Sequence, residues 1–261
     1  MGLPAQCQKL LNDMNKLEAQ VKQIQSAPGY IQDHTGPHPG RPDPESLTEV
    51  KALEKQIAAK NSAFNACLVA NVAPFPVKIT VTSIASIEGT SEIGSDEPYV
   101  IVTAVDLTSL VPGLECTLYG PVSLNAGESK SPGGKPFWFI DNTTGKAIPD
   151  LTKAIFIVSL MENDNGSPSA ARAFVKGLAT VSIAGSTALP LAQRITKLKA
   201  DVDSALATPT GFPNVDDQIG ASLQLALSKL DLVLPILGPH TVTLTFSGDG
   251  KFVVTCTITK A

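Results

Sequence analysis

Two apolar runs near the N-terminus mirror each other, and they constrain the opening of the chain more than any other feature. Cys7, Leu10, Met14, Leu17, Val21 and Ile24 recur at alternating steps of three and four, the seam of a helix packing on a partner in coiled-coil fashion. Val50, Leu53, Ile57, Lys60, Phe64 and Cys67 repeat the pattern. Each residue of the first run lies as far before position 37 as its counterpart lies after it, so an antiparallel hairpin turning there stacks them in facing layers. Between the runs, residues 26–43 hold Pro28, Pro37, Pro39 and Pro42 with three glycines, which no helix interior tolerates. Asp43 before Pro44 then reads as an N-cap and first helical residue.

The mirror sets Cys7 against Cys67 at the open end. A bridge there closes a long loop and adds about 4 kcal/mol in the chain-entropy model. The alternative is a pair of reduced thiols serving as small seam residues. A bridge implies an oxidising, extracellular setting. Lys60, opposite Met14, is the one polar residue in the seam, and its stem is long enough to carry the ammonium to water. In the turn, His34 and His38 are spaced like metal ligands, but with only Asp33 close by they read as part of a solvated loop.

Charge and composition narrow the functional classes. A net charge of −4 with no strongly basic stretch lacks the footprint of a nucleic-acid binder. The N-terminal stretch carries polar groups throughout, unlike a signal peptide. Gln6 stands where a myristoylation signal opening on Met1 and Gly2 wants Ser or Thr. No apolar run approaches the ~20 residues that span a bilayer, so the expectation is a soluble protein.

From Val77 onward the texture changes to alternation and β-branched residues. Strands are expected over 77–87, 98–106, 115–122, 136–140, 154–161, 221–227, 241–246 and 252–259, separated by turn signals such as Ser247-Gly248-Asp249-Gly250. The expected fold class is α+β: an antiparallel α-helical coiled-coil hairpin over 1–72, then an antiparallel eight-stranded β-sandwich over 77–261 with a helical insert at 166–214. Cys116 and Cys256 fall inside expected strands. They either face each other as a second disulfide or stay as buried thiols, and spacing does not choose.

Four motifs in this half carry a resemblance. Gly94-Ser95-Asp96-Glu97-Pro98-Tyr99-Val100 is similar to the signature opening the third strand of C2 domains, calcium- and lipid-binding β-sandwiches, and Lys135-Pro136-Phe137-Trp138 resembles their Asn-Pro-x-Trp segment. Residues 157–164, ending in Glu162-Asn163-Asp164, resemble the strand closing on Asp-x-Asp, and Asp216-Asp217-Gln218-Ile219-Gly220 the Asp-Asp-x-Ile-Gly that follows it. There are departures: Glu97 is inserted, Glu162 replaces an Asp, Thr90 stands where a ligand Asp is usual, and the insert interrupts a loop that is normally short.

The resemblance implies that Asp96, Glu162, Asp164 and Asp216 or Asp217 converge at one end, with Glu88 and Glu92 approaching. Carboxylates so gathered repel unless a cation such as calcium lies between them. The competing reading is that Asp and Asn are simply the residues that make turns.

Within the insert, Ser167-Pro168 opens a helix expected to run through Leu178, and a second amphipathic helix is expected over 189–206. The pair either packs on the sandwich as extra core or offers an apolar face to lipid or a partner. Catalysis has little support. There is no Gly-x-Ser-x-Gly elbow, phosphate loop or Cys-x-x-Cys pair, and any serine hydrolase of this half would have to use His240.

The leading expectation is a non-catalytic binding or assembly protein whose loops engage a membrane surface or protein partner, with calcium as the candidate cofactor. One alternative is a secreted toxin of the pore-forming or insecticidal type. Another is a structural subunit that forms homo-oligomers through the hairpin.

Overall fold

A computed structural model describes residues 2–27, 44–90, 95–109, 112–140, 144–164, 166–207 and 216–261. His34, His38, Asp43, Glu92 and Gly94 lie outside them. The chain divides into two compact units, Met1–Ala73 and Pro74–Ala261.

The first unit is a pair of helices, α1 (Ala5–Ser26) and α2 (Pro44–Asn71). Cys7 near the start of α1 is bonded to Cys67 near the end of α2, with Cα atoms 5.7 Å apart, so the helices run antiparallel. Cys7, Met14, Val50, Phe64 and Leu68 are buried in this unit. Lys60 resolves its place in the seam by an ion pair rather than by water alone, its ammonium lying 3.2 Å from the Asp13 carboxylate. Both partners are partly exposed, so the pair contributes at most about 1 kcal/mol.

The second unit holds two four-stranded antiparallel sheets. The strands are β1 (Val77–Glu88), β2 (Pro98–Asp106), β3 (Gly113–Tyr119), β4 (Ser129–Lys130), β5 (Ala154–Glu162), β6 (Leu223–Gln224), β7 (His240–Gly248) and β8 (Gly250–Lys260). One sheet has the order β4-β1-β8-β7 and the other β3-β2-β5-β6. Among the described residues three α-helices complete the unit: α3 (Pro168–Ala184), α4 (Leu191–Ala207) and the short α5 (Lys229–Val233).

Every residue of β2 is buried, because both faces of its sheet are covered. Tyr99, Ile101, Val105, Cys116, Ile157 and Met161 point to one side, where they pack with Val175, Ala179, Leu198 and Val202 of α3 and α4. The insert therefore contributes core. On the opposite side, Phe156 of β5 meets the ring of Trp138 edge-on at 5.1 Å, and Trp138 is bridged to Ile79 of β1.

Four expectations change. Residues 136–140 form no strand, since Phe137 and Trp138 are consecutive and both buried against Phe156, which alternation to opposite faces forbids. The segment touches β1 only through the isolated bridge of Trp138 to Ile79, and β1 pairs with β8 on one side and the two-residue β4 on the other. The expected strand over 221–227 contracts to β6, because the Ser222 N–H donates to Asp203 of α4 at 2.8 Å and Ser228 opens a capping box with Asp231 that starts α5. Helix α3 runs on past Leu178 to Ala184, its buried face continuing through Ala179, Ser182 and Ile183.

The fourth change concerns the cysteines. Cys116 and Cys256 do not form a disulfide; both are buried free thiols. Cys116 in β3 faces the helical layer, whereas Cys256 lies in the other sheet, on the buried side of β8 with Phe252, Val254 and Ile258. Burial raises both thiols, Cys256 to about 12.

Candidate functional site

Asp96, Glu162, Asp164, Asp216 and Asp217 lie around one end of the β3-β2-β5-β6 sheet, where β2 begins and β5 ends, while Glu88 ends β1 in the other sheet and Glu92 lies outside the described residues. The Gly-x-Ser-Asp-like motif opens β2, which is the second strand of this unit rather than a third. The 216–220 segment runs beside the end of β5, with Met161 bridged to Gln218 and the Ile219 N–H donating to the Leu160 carbonyl at 2.9 Å.

The buried carboxylates here act as acceptors for the chain's own donors. Asp96 Oδ1 accepts from the Thr90 hydroxyl at 2.7 Å and the Thr90 N–H at 3.2 Å, so Thr90, at the position of the missing acid, holds the neighbouring one. Glu162 accepts from the Glu97 N–H through Oε1, and its own N–H donates to the Asp217 carbonyl at 2.7 Å. Asn163 donates its side-chain amide to Glu97 at 3.0 Å. Asp216 takes the Tyr99 hydroxyl on Oδ2 at 2.8 Å and the Gly166 N–H on Oδ1 at 2.8 Å. Burial, then this hydrogen bond and the Asp216 charge, push the Tyr99 phenol well above its ordinary range.

Glu88 and Asp217 are exposed and Asp164 is half-exposed. Among the described residues no three acidic, histidine or cysteine side chains gather as a group that could hold a metal ion. The two most deeply held aspartates, Asp96 and Asp216, accept from protein donors, Asp96 through Oδ1 and Asp216 through both oxygens.

One cleft borders this end of the sheet, and another lies at the far end of β2, where Asp106 pairs with Ala154. The first, of about 620 Å³, lies between the C-terminal part of α4 and the motif segment and is lined by Asp203, Leu206, Asp216, Asp217 and Gln218. The other, of about 220 Å³, includes Asp106, Trp138, Phe139, Ile140 and Lys146. Lys146 joins Asp106 in an ion pair and sits 4.9 Å from the centroid of the Trp138 ring. Burial works to raise the Asp106 carboxyl, but Lys146 and the Thr108 hydroxyl and amide outweigh it and hold the group below its ordinary value.

Among the described residues His240 meets a carboxylate and not a serine hydroxyl. Its Nε2 lies 2.8 Å from Asp231 Oδ1, while Ser228 Oγ donates to Asp231 Oδ2 at 2.6 Å. The carboxylate thus lies between the imidazole and the Ser228 hydroxyl.

The sequence reading did not identify the outer side of α3. Phe174 and Val181, seven residues apart and so near one another on the helix surface, are 39% and 69% exposed, and Leu189 just beyond the helix is 37% exposed. The 166–207 segment carries Arg172, Lys176, Arg194, Lys197 and Lys199 against only Asp201 and Asp203, in a chain whose net charge is −4. Expecting the helix to end at Leu178 put Val181 outside it and hid the pairing. No protein-family model matches the chain, and no curated protein sequence matches it.

Proposed function

We propose that the Pro74–Ala261 unit is a non-catalytic binding module, a C2-like β-sandwich that engages a membrane surface bearing anionic lipids. The observation that carries this reading is the outer side of α3, where large apolar side chains stand in water within a positively charged helical layer. Apolar groups that insert and cations that attract are the two terms from which interfacial affinity is built. Two four-stranded sheets, and three C2-like motifs brought to one end, support the sandwich reading. The Asp231-centred arrangement of Ser228 and His240 supports a non-catalytic one. The Cys7–Cys67 bridge favours an oxidising compartment.

The test is sedimentation of the full chain with phosphatidylserine vesicles and with phosphatidylcholine vesicles, in chelator and in calcium. Binding to the anionic vesicles is expected, weakening as salt is raised. The double variant Phe174→Ser/Val181→Ser should lose about 2 kcal/mol, roughly 30-fold in affinity, from partial burial of two apolar side chains. Equal binding by wild type and variant would remove α3 from the interface. Absence of sedimentation in every condition would leave a protein partner as the reading to pursue.

A further inference from the structure

A sheet edge presents unpaired backbone N–H and C=O groups, and proteins that keep their edges free shorten, charge, bulge or cover them. Three of the four edges here are protected. β4 and β6 are two residues long each. β3 carries Glu115, which bonds Lys135 at 3.3 Å and Lys176 of α3 at 3.5 Å.

β7 is the exception. It is nine residues long, and among the described residues no element pairs with its free side. It contains no proline, lysine, aspartate or glutamate. Its register with β8 is continuous from His240 to Gly248, in contrast to the two irregularities between β1 and β8. Its one titratable group, His240, is turned to Asp231. Gly220 packs on the backbone of Ser247 and Gly248, which leaves residues 240–246 as an open run of about 24 Å at 3.4 Å per residue.

We propose that β7 is a self-pairing edge, along which two copies of this chain join antiparallel to make one continuous eight-stranded sheet. The pattern of the strand selects the occupant. Thr241, Thr243 and Thr245 are exposed on one face, and Val242, Leu244 and Phe246 alternate to the other. A two-fold centred on Leu244 sets Thr243 against the partner's Thr245, Thr241 against the partner's Ser247 and Val242 against the partner's Phe246. Hydroxyls then meet hydroxyls and apolar groups meet apolar groups, with no charge anywhere on the strand to oppose two net-negative copies. The inference goes beyond membrane engagement and does not rest on it.

Sedimentation velocity of the full chain over a wide range of concentration tests the proposal, for wild type, Thr243→Lys, Thr245→Glu and an equal mixture of the two variants, in which the new lysine faces the new glutamate across the two-fold. Thr243 and Thr245 are both exposed, so both variants should keep the wild-type melting midpoint. Wild type should reach twice the monomer mass, each variant alone should stay at the monomer mass, and the mixture should regain the doubled mass. A wild type that stays monomeric at the highest concentration overturns the proposal. So does a dimer that both variants leave intact, the result a hairpin interface would give, and so does a mixture that fails to recover.

Discussion

Tyr99 and Asp216 meet in a buried hydrogen bond of 2.8 Å that ties the start of β2 to the segment running beside the end of β5. The two residues are 117 positions apart, so the bond fastens the ends of the interval that contains the helical insert. Replacing Tyr99 by Phe keeps the ring in its packing place and withdraws the donor. Among the described donors Asp216 then keeps the Gly166 N–H, and a buried carboxylate loses part of its compensation. The expected cost is roughly 1–3 kcal/mol of stability, read as a lower urea midpoint with an unchanged slope. A variant as stable as wild type would show that the carboxylate is solvated there.

The Cys7–Cys67 bridge spans a sequence separation of 60, long enough that the chain-entropy model assigns it about 4 kcal/mol. Reduction should lower the melting midpoint of the helical signal in circular dichroism. Mass spectrometry after alkylation without reductant should find one disulfide and two thiols. Cys116 and Cys256 should react only once the protein is unfolded, since both are buried and burial disfavours the thiolate that reacts. Rapid alkylation of either in the native state would contradict their placement.

What the sequence disclosed and what it hid follow from how local each signal is. The mirrored seam located α1 and α2 because a heptad-like period is written in neighbouring residues. Strand β2 was legible to its boundaries because a run of β-branched residues covered on both faces needs no partner to be recognised. The segment at 136–140 misled because Phe137 and Trp138 look like strand residues, and only their shared contact with Phe156 shows both turned to the same side. The acidic end was half legible. Asp96, Glu162 and Asp216 fall at one end of the sheet, but that Thr90, Tyr99 and Gly166 donate to their oxygens is a matter of three-dimensional contact that the motifs do not encode. The outer side of α3 stayed hidden because exposure depends on the layer beneath the helix.

Asp106 gives the acid limb of stability a specific source. Its folded carboxyl is held below the ordinary value, because Lys146 and Thr108 outweigh the effect of burial. A group depressed on folding stabilises the protein above its unfolded value, near 3.9, and loses that contribution as pH falls through the folded value. Between about pH 5 and 2 the melting midpoint should therefore fall more steeply in wild type than in Asp106→Asn. At pH 7 the variant should be the less stable of the two, with Lys146 left facing a neutral amide. Parallel acid limbs would place the titrating carboxylates elsewhere, with Asp231 the next candidate, since Ser228 and His240 also overcome burial to hold it low.

Gly220 closes the Asp-Asp-x-Ile-Gly-like segment where two demands coincide. Its φ is +70°, a conformation L side chains rarely adopt, and a Cβ added there would stand 2.6 Å from the Ser247 carbonyl oxygen. The close approach lets the segment beside β5 lie against the end of β7, so the residue couples the two sheets at one corner. Gly220→Ala should cost about 2 kcal/mol or more, because strain and overlap add and the atom in the way is backbone. Gly127 serves as the control. It also has positive φ, at +83°, but nothing within 4 Å of an added Cβ, so Gly127→Ala should lose only the conformational part, about 1 kcal/mol. Equal losses at the two positions would mean that the corner yields, and that Gly220 is kept for its backbone conformation alone.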